Sequence, residues 1–312
     1  MNAPTRVAGF VLAVAVAFVV AYAVGTQIGS VGEPAQASGH SEEGGHSDEG
    51  GHSDGGHSDE GAAGEGSEDA ASLPGGLMVS EGGYTLALQK SVAKAGPDRE
   101  ISFVIEGPDG PGTAYDVEHE KRLHFIAVRR DFTGFQHVHP RLSDDGTWTT
   151  DLDLTPGQWR VFADFKSTGG DALTLGSDLS VPGRMDFVVL GETVRTATVD
   201  DYTVDLTGDL VAGEHSMLKL RVSRDGRPVT DLQPYLGAYG HLVALRGGDL
   251  AYLHVHPDGA PGDGTTEPGP GIEFGAEVPS AGRYHLYLDF RHDGVVRTAS
   301  FQLDATTPIG SR

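Results

Sequence analysis

The chain has 312 residues, with 45 acidic and 22 basic side chains, a formal net charge of −23, 14 histidines and no cysteine. The lack of cysteine excludes disulfides, thiolate metal sites, iron–sulfur clusters and thiol nucleophiles. The strongly negative charge argues against a nucleic-acid-binding protein, which needs a basic surface patch.

An apolar segment near the N-terminus predicts a membrane-spanning helix within residues 1–25. Residues 7–24 are apolar apart from Gly9 and Tyr22, and at about 1.5 Å per residue they cover roughly the thickness of a bilayer's hydrocarbon core. Arg6 precedes the segment and acidic residues follow it, which predicts a single-pass cell-membrane protein with its C-terminal domains outside the cytoplasm. The competing interpretation is a secretory signal cleaved after Ala37, which makes the protein secreted.

Residues 26–77 are predicted to form a disordered linker. From Ser38 onwards they repeat a Gly-His-Ser-acidic unit with few apolar side chains, and such a segment cannot offset the entropy lost on ordering. Two interpretations stay open, a solubilising spacer and a weak site for divalent ions, since imidazoles and carboxylates bind Zn²⁺, Cu²⁺ and Ni²⁺. The histidines concerned are His40, His46, His52 and His57.

The rest of the chain contains one sequence unit twice. His124 and the apolar residues after it recur at His241, 117 residues later. A His-Val-His-Pro motif ending at Pro140 recurs at Pro257 with the same offset. Because separate blocks share one offset, the sequence predicts two homologous domains.

A further block extends the repeat. The Asp-Phe pair that begins at Asp164 recurs at Asp289, 125 residues later, and the extra eight residues lie in a Gly/Pro-rich stretch where an insertion is easily accommodated. The predicted domains cover residues 78–194 and 195–306, with a tail over 307–312.

The pattern within each repeat predicts β-strands. Short alternating apolar runs are separated by turn clusters, and no window after Ser80 has helical periodicity. About seven short strands in roughly 110 residues predict an all-β fold of two tandem immunoglobulin-like antiparallel β-sandwiches, with Arg195–Val199 as the connector. The predicted strands are Glu100–Ile105, Leu123–Val128, Gln158–Phe165, Met217–Val222, Leu242–Leu245 and Tyr284–Phe290.

Each repeat contains three histidines with the spacing of a metal site. In a strand, residues i and i+2 project to the same face about 6–7 Å apart, and the proline after them indicates a strand end or sheet edge. A third histidine lies thirteen residues before the motif, a separation that suits a hairpin. Without cysteine, such a site fits Cu(II) or Zn(II). The candidate ligands are His124, His137 and His139 in the first repeat and His241, His254 and His256 in the second.

Other roles stay open for these residues. The histidines are alternatively hydrogen-bonded strand corners. Asp164 and Asp289 either complete or orient the metal sites or cap turns at strand ends. Trp159 and Tyr284 are predicted to be core aromatics. Histidines without a counterpart in the other repeat are predicted to be incidental surface residues, namely His119, His215, His285 and His292.

No motif of a common enzyme class is present. The sequence has no Gly-x-Ser-x-Gly elbow, P-loop, His-Glu-x-x-His or dinucleotide fingerprint, and no glutamate recurs at a fixed offset from the His pairs. The sequence therefore predicts a protein that is not an enzyme.

The blocks around His124, the two His-x-His-Pro motifs and the two Asp-Phe pairs resemble the YtkA-like immunoglobulin-type module of exported bacterial proteins. The resemblance covers most of residues 80–305, once per repeat, and is most specific at His-x-His-Pro. It implies a non-enzymatic β-sandwich with copper or heavy-metal association, found beside metal transport components. The expected function is envelope metal buffering or delivery by a membrane-anchored protein, with an envelope metal transporter as partner. The alternative is a non-catalytic interaction or structural module.

Overall fold

The computed structural model describes residues 73–186, 188 and 191–308, apart from the side chains of His254 and His256. The predicted membrane segment, the linker with its four histidines and the end of the tail lie outside these residues. Among the described residues, no helix is both long enough and apolar enough to cross a bilayer. All of their regular secondary structure is β.

Among the described residues, the first repeat forms ten strands in two antiparallel sheets. The larger sheet has the order β1-β2-β3-β8-β7, with β4 beside β3, and the smaller has the order β10-β9-β5-β6. The strands are β1 (Ser80–Glu81), β2 (Tyr84–Leu88), β3 (Gly96–Gly107), β4 (Gly110–Pro111), β5 (Leu123–Arg129), β6 (Gln136–Val138), β7 (Arg141–Leu142), β8 (Thr147–Leu154), β9 (Gly157–Lys166) and β10 (Ala172–Val181).

The second repeat has the same topology. Its larger sheet has the order β11-β12-β13-β18-β17, with β14 beside β13, and its smaller sheet has the order β16-β15-β19-β20. The strands are β11 (Thr196–Val199), β12 (Tyr202–Thr207), β13 (His215–Arg224), β14 (Arg227–Pro228), β15 (Gly240–Arg246), β16 (Tyr252–His254), β17 (His256–Pro257), β18 (Gly271–Glu277), β19 (Gly282–His292) and β20 (Val295–Ala305).

In the described residues, this architecture confirms the predicted all-β fold with two tandem domains. Each of the six predicted strands lies within an observed one, in β3, β5, β9, β13, β15 and β19. The predicted connector is wrong, because Thr196–Val199 is strand β11 and pairs with β12. Arg195 is held at the start of that strand by hydrogen bonds to the Gly208 carbonyl and the Asp209 carboxylate.

Each repeat encloses a core between its two sheets. In the first, Phe103 of the larger sheet stacks on Phe125 of the smaller one, with ring centroids 4.6 Å apart. Trp159 and Tyr284 are fully buried in the cores of the first and second repeats, as predicted. Truncating a buried aromatic of this size costs about 3–5 kcal/mol, so these residues are central to the stability of each sandwich.

A third apolar cluster joins the two repeats through their smaller sheets. Successive strand residues point to opposite faces. Phe125 and Ala127 therefore face the core of the first repeat, while Ile126 and Val128 contact the second repeat. Strand β5 is buried along its whole length for this reason. The cluster consists of Ile126, Val128, Phe162, Val243, Leu245, Leu250, Tyr252 and Tyr287, with Phe132 and Phe135 packed against it.

The loop between β5 and β6 covers the second repeat and buries a histidine there. Phe132 stacks on His285 with ring centroids 3.7 Å apart, and Phe135 stacks on Tyr287 at 3.9 Å. The Tyr287 hydroxyl donates a hydrogen bond of 2.7 Å to the Phe132 carbonyl. The prediction that His285 lies at the surface is therefore wrong, because a loop of the other repeat covers it.

His292 is also buried, contrary to the surface prediction. Its Nδ1 lies 2.7 Å from the Tyr202 hydroxyl, and its Nε2 lies 3.1 Å from the Asp231 carboxylate. It thus ties β19 to the larger sheet of the second repeat. His215, by contrast, is exposed on β13.

Candidate metal centre

The packing of the smaller sheets places two equivalent histidines opposite each other. His124 precedes Phe125 on β5, so it shares the outward face with Ile126, and His241 has the same place on β15. Both residues are buried, with 5% and 6% of their surface exposed. Their rings are stacked, with centroids 5.5 Å apart and planes 4° apart. The candidate site therefore lies between the repeats.

His137 joins the pair from the edge strand of the first repeat. Strand β6 pairs with β5, and His137 is opposite Ile126, so its side chain is on the same outward face. Its ring centroid lies 5.2 Å from that of His124 and 4.9 Å from that of His241. The position at a sheet edge agrees with the sequence prediction.

A hydrogen-bonded chain crosses from one repeat to the other through these rings. His137 Nδ1 donates to Asp289 Oδ2 at 2.8 Å, and His137 Nε2 lies 3.0 Å from His124 Nδ1. His124 Nε2 donates to the Glu118 carbonyl at 3.2 Å. The chain has three hydrogen-bond contacts, and both of its end groups, the Asp289 carboxylate and the Glu118 carbonyl, can only accept. Three hydrogen bonds would need three protons, whereas two neutral imidazoles carry two. Two neutral rings that donate outwards, to Asp289 and to the Glu118 carbonyl, leave His124 Nδ1 and His137 Nε2 as lone-pair acceptors that face each other.

His139 adds a fourth imidazole. Its ring centroid lies 4.9 Å from that of His137 and 5.1 Å from that of His124. Its Nε2 is buried and has no hydrogen-bond partner among the described residues. A buried polar atom without a partner is costly, and in a group of imidazoles it marks a position for a ligand atom.

Burial keeps two of these rings neutral. It lowers the pKa of His124 to about 4, with a further contribution from the neighbouring His137. It lowers the pKa of His139 to about 3, with contributions from His137 and His124. The neutral imidazole is the form that binds metal ions, so these side chains are ready for a cation at physiological pH.

The ligand atoms are close enough to converge on one ion. One ring nitrogen each of His124, His137 and His241 lies within 4.8 Å of the other two. Tetrahedral ligands at the usual metal–nitrogen distance are about 3.3 Å apart, so the rings need to move inwards by about 1 Å. This group fits Zn(II) or Cu(II), which accept nitrogen ligands.

The sequence predicts a separate metal site in each repeat, whereas the described side chains form one group with members from both repeats. His241 of the second repeat joins the histidines of the first, because the smaller sheets pack face to face. The backbone of His254 is opposite Val243 in β16, and that of His256 is opposite Gly275 in the other sheet. The side chains of both lie outside the described part of the structure.

The two histidines of each motif do not share one continuous strand, contrary to prediction. In the first repeat β6 ends at Val138, and His139 follows it. In the second repeat β16 ends at His254, and β17 begins at His256 in the larger sheet. Each motif is the point where the chain passes from one sheet to the other.

The two aspartates lie within strands, so the turn-cap interpretation is wrong. Asp164 is opposite His124 in the β5–β9 pair, and Asp289 is opposite His241 in the β15–β19 pair. Asp289 accepts hydrogen bonds from His137 and Thr298. Asp289 therefore orients an imidazole, as the other interpretation of the sequence expected.

Asp164 has the corresponding place in the first repeat. It accepts hydrogen bonds from the Thr174 hydroxyl at 3.1 Å and from the Tyr252 hydroxyl at 3.3 Å. The second of these bonds crosses between the repeats, as the bond from His137 to Asp289 does. Both aspartates therefore connect the two sandwiches beside the histidines.

His119 belongs to the surroundings of the site, although it was predicted to be incidental. Its ring centroid lies 6.1 Å from that of His124 and 5.8 Å from that of His241. It is half-buried in a turn just before β5. The repeat comparison missed it, because the equivalent residue in the second repeat is Leu236.

The fold and site define a tandem β-sandwich protein with a buried histidine cluster between its repeats. The sequence matches the family described as a domain of unknown function, DUF8832, at residues 79–183 and again at 197–307. These two matches cover more than half of the chain, which therefore belongs to this family. No curated protein matches the sequence.

Solved structures with overall similarity include bacterial adhesins. FdeC, an Escherichia coli adhesin, has a TM-score of 0.24 and 16% identity, over 73% of this chain and 65% of that one. The Yersinia pseudotuberculosis adhesin InvE has a TM-score of 0.21 and 11% identity, over 72% and 58%. The D0-D1 domain of Intimin has a TM-score of 0.21 and 14% identity, over 71% and 97%. This chain thus spans less than two thirds of the first two structures, and similarity at this level carries no argument about function.

Proposed function

We propose that this protein is a non-catalytic metal carrier that holds a divalent ion, Cu(II) or Zn(II), between its two repeats. The observation that supports this most directly is the convergence of His124, His137 and His241 within 4.8 Å in a largely buried setting. His139 lies beside this group, and its buried Nε2 has no hydrogen-bond partner among the described residues. Three protein nitrogens leave one coordination position open, and a fourth closes the site as in structural zinc centres.

The hydrogen bonds around the cluster give each residue a part in this proposal. Asp289 fixes the ring of His137 so that Nε2 faces His124, and a carboxylate in this position raises the basicity of the ligand nitrogen. The ion binds between the facing nitrogens His124 Nδ1 and His137 Nε2, which are 3.0 Å apart. Because the ligands come from both repeats, binding links the two sandwiches.

We further propose that the carrier acts outside the cytoplasm. The apolar residues 7–24 are the proposed anchor, and the linker histidines gather ions weakly for the buried cluster. The resemblance to YtkA-like modules supports delivery to, or removal from, an envelope metal transporter. Buffering and delivery have the same requirement. Neutral ligands must hold the ion and must also be able to release it.

Metal titration of the full chain tests this function. In a background with the four linker histidines replaced by serine, isothermal titration with Cu(II) and Zn(II) should show one tightly bound ion per chain. A His124→Ala/His241→Ala double variant should lose this ion. His215→Ala is the matched control, because His215 is exposed on β13 and does not belong to the converging group. Equal binding by the double variant and the control would overturn the proposal.

The second candidate is an interaction or structural module in which the histidines only hold the repeats together. The hydrogen bonds from His137 to Asp289 and from His124 to the Glu118 carbonyl favour it, because they already partner these rings. In that case the double variant loses stability, and neither protein binds a metal ion tightly. The same titration therefore separates the two functions.

A further inference from the structure

The two repeats carry equivalent two-residue turns next to the histidine cluster. One runs from Glu118 to Lys121 and the other from Tyr235 to Ala238, and in each the end residues exchange backbone hydrogen bonds. The central residues have positive φ angles, 47° and 65° in the first turn and 57° and 79° in the second. These are the signs of a tight hairpin turn that matches the twist of its strands.

The turns differ in the residue at their first central position. The second turn has Leu236, which is 1% exposed and therefore fills its position with apolar surface. The first turn has His119 at the equivalent place, and this residue is only half-buried. One turn thus has a buried apolar side chain at this position, while the other has a half-buried imidazole beside the cluster.

His119 lies between the surface and the stacked pair. Its ring is 6.1 Å from that of His124 and 5.8 Å from that of His241, measured between centroids. A narrow surface cleft is lined by His119, His124 and Asp164. The cleft is small, about 10 Å³, and it brings the half-buried His119 next to His124, a buried ligand of the proposed site.

The charges around this cleft are balanced. The Glu118 carboxylate lies 3.6 Å from Lys166 Nζ, so one pair is already neutralised. Acidic and basic side chains around the turn and cleft are equal in number, namely Glu118, Glu120 and Asp164 against Lys121, Arg122 and Lys166. A cation is therefore not repelled by net charge at this cleft.

We propose that the turn Glu118–Lys121 is the access point of the buried site and that His119 is the first protein ligand of the arriving ion. His119 binds the ion at the cleft and passes it to His124 and His241, whose rings are within reach of a small movement of the turn. This inference rests on the proposed function, and it adds a direction of loading that the function alone does not specify.

Loading kinetics test this inference. In the full chain with linker histidines replaced by serine, Cu(II) glycinate is mixed rapidly with protein, and the visible absorbance of the Cu(II)–imidazole complex is followed. His119→Leu reproduces the residue of the second repeat, and His119→Asn keeps a residue that tolerates positive φ. Both should load about tenfold more slowly than the parent, within the range over which single substitutions change association rates. His215→Leu is the control and should load at the parent rate.

The outcomes separate this inference from the proposed function. Slower loading in both His119 variants, with one ion per chain at equilibrium, supports the access point. Loading at the control rate overturns it, while the ion bound at equilibrium leaves the proposed function intact. Loss of the ion at equilibrium in His119→Asn also overturns it, because His119 is then a permanent ligand. A parent protein that binds no ion overturns the proposed function itself.

Discussion

His137 and Asp289 are 152 residues apart and belong to different repeats, yet His137 Nδ1 donates to Asp289 Oδ2 at 2.8 Å. Both side chains are almost fully buried, with 0% and 3% exposed. A carboxylate on one ring nitrogen fixes the orientation of the other, which here faces His124. The second repeat therefore positions a ligand that the first repeat supplies, and the site depends on the contact between the two.

The first prediction concerns this hydrogen bond. Asp289→Asn keeps an acceptor for His137 but removes the negative charge, so metal affinity should fall about 10–100-fold, the usual effect of such partners. Isothermal titration with Zn(II) measures the change in Kd. Asp178→Asn is the control, because Asp178 is a half-exposed partner of Arg130 and Arg160 in a surface ion pair. Equal affinities of the two variants would show that Asp289 has no role in the site.

The second prediction concerns pH and His285, which lies outside the histidine cluster. Burial, with a smaller contribution from Arg283, lowers the pKa of His285 to about 4. The pKa of His285 in the unfolded chain is about 6.5. Below this pH, the unfolded chain binds a proton on His285, and the folded chain does not. The free energy of unfolding should therefore fall between about pH 6.5 and about pH 4, by about 3 kcal/mol from this group.

Denaturant unfolding of the parent and of His285→Gln across this pH range measures that contribution. His124 and His139 also have lowered pKa values, so both proteins should lose stability towards low pH. The variant should lose less, because glutamine does not titrate. The loss of stacking on Phe132 lowers stability at every pH and leaves the slope unaffected. Parallel pH profiles would contradict the assignment.

The strands and the duplication were predictable because both signals are local. Alternation with period two identifies a strand from a few consecutive residues, and the shared offset between His124 and His241 needs only the sequence. The proline after each motif likewise indicated the sheet edge at which His137 lies. These features depend on residues that are close together in the sequence, so the sequence alone indicates them.

The shared site was not predictable in the same way, because it depends on contact between two domains. Apart from one histidine and a terminal arginine, strands β5 and β15 are continuous apolar runs, and such runs indicate burial on both faces. That pattern indicates that the outer face of each strand is covered, but it does not indicate that the other repeat covers it. The position of His119 near the site was not predictable from the repeats either. Its equivalent in the second repeat is Leu236, so no repeated histidine pattern includes it.

The third prediction concerns stabilisation by the ion. An ion that binds only the folded chain raises its free energy of unfolding by about 2.7 kcal/mol when the free ion is at a hundred times Kd. Zn(II) should therefore raise the unfolding midpoint of the parent, and a chelator should reverse the change. His139→Ala removes the orphaned nitrogen and should reduce the shift. An unchanged midpoint with saturating Zn(II) would count against binding to the folded state.

The last prediction uses two neighbours on one strand that face different cores. Phe125 packs inside the first sandwich, and Ile126 packs between the repeats, opposite His137 in register. Ile126→Ala should lower the free energy of unfolding by about 2–5 kcal/mol and Phe125→Ala by about 3–5 kcal/mol, since each leaves a cavity. Under conditions where both variants remain folded, only Ile126→Ala should weaken Zn(II) binding, because it loosens the contact that brings His241 and Asp289 to the histidines of the first repeat. Titration of both variants, with circular dichroism to establish folding, gives the comparison. Equal affinities would show that the ligand set does not depend on how tightly the repeats pack.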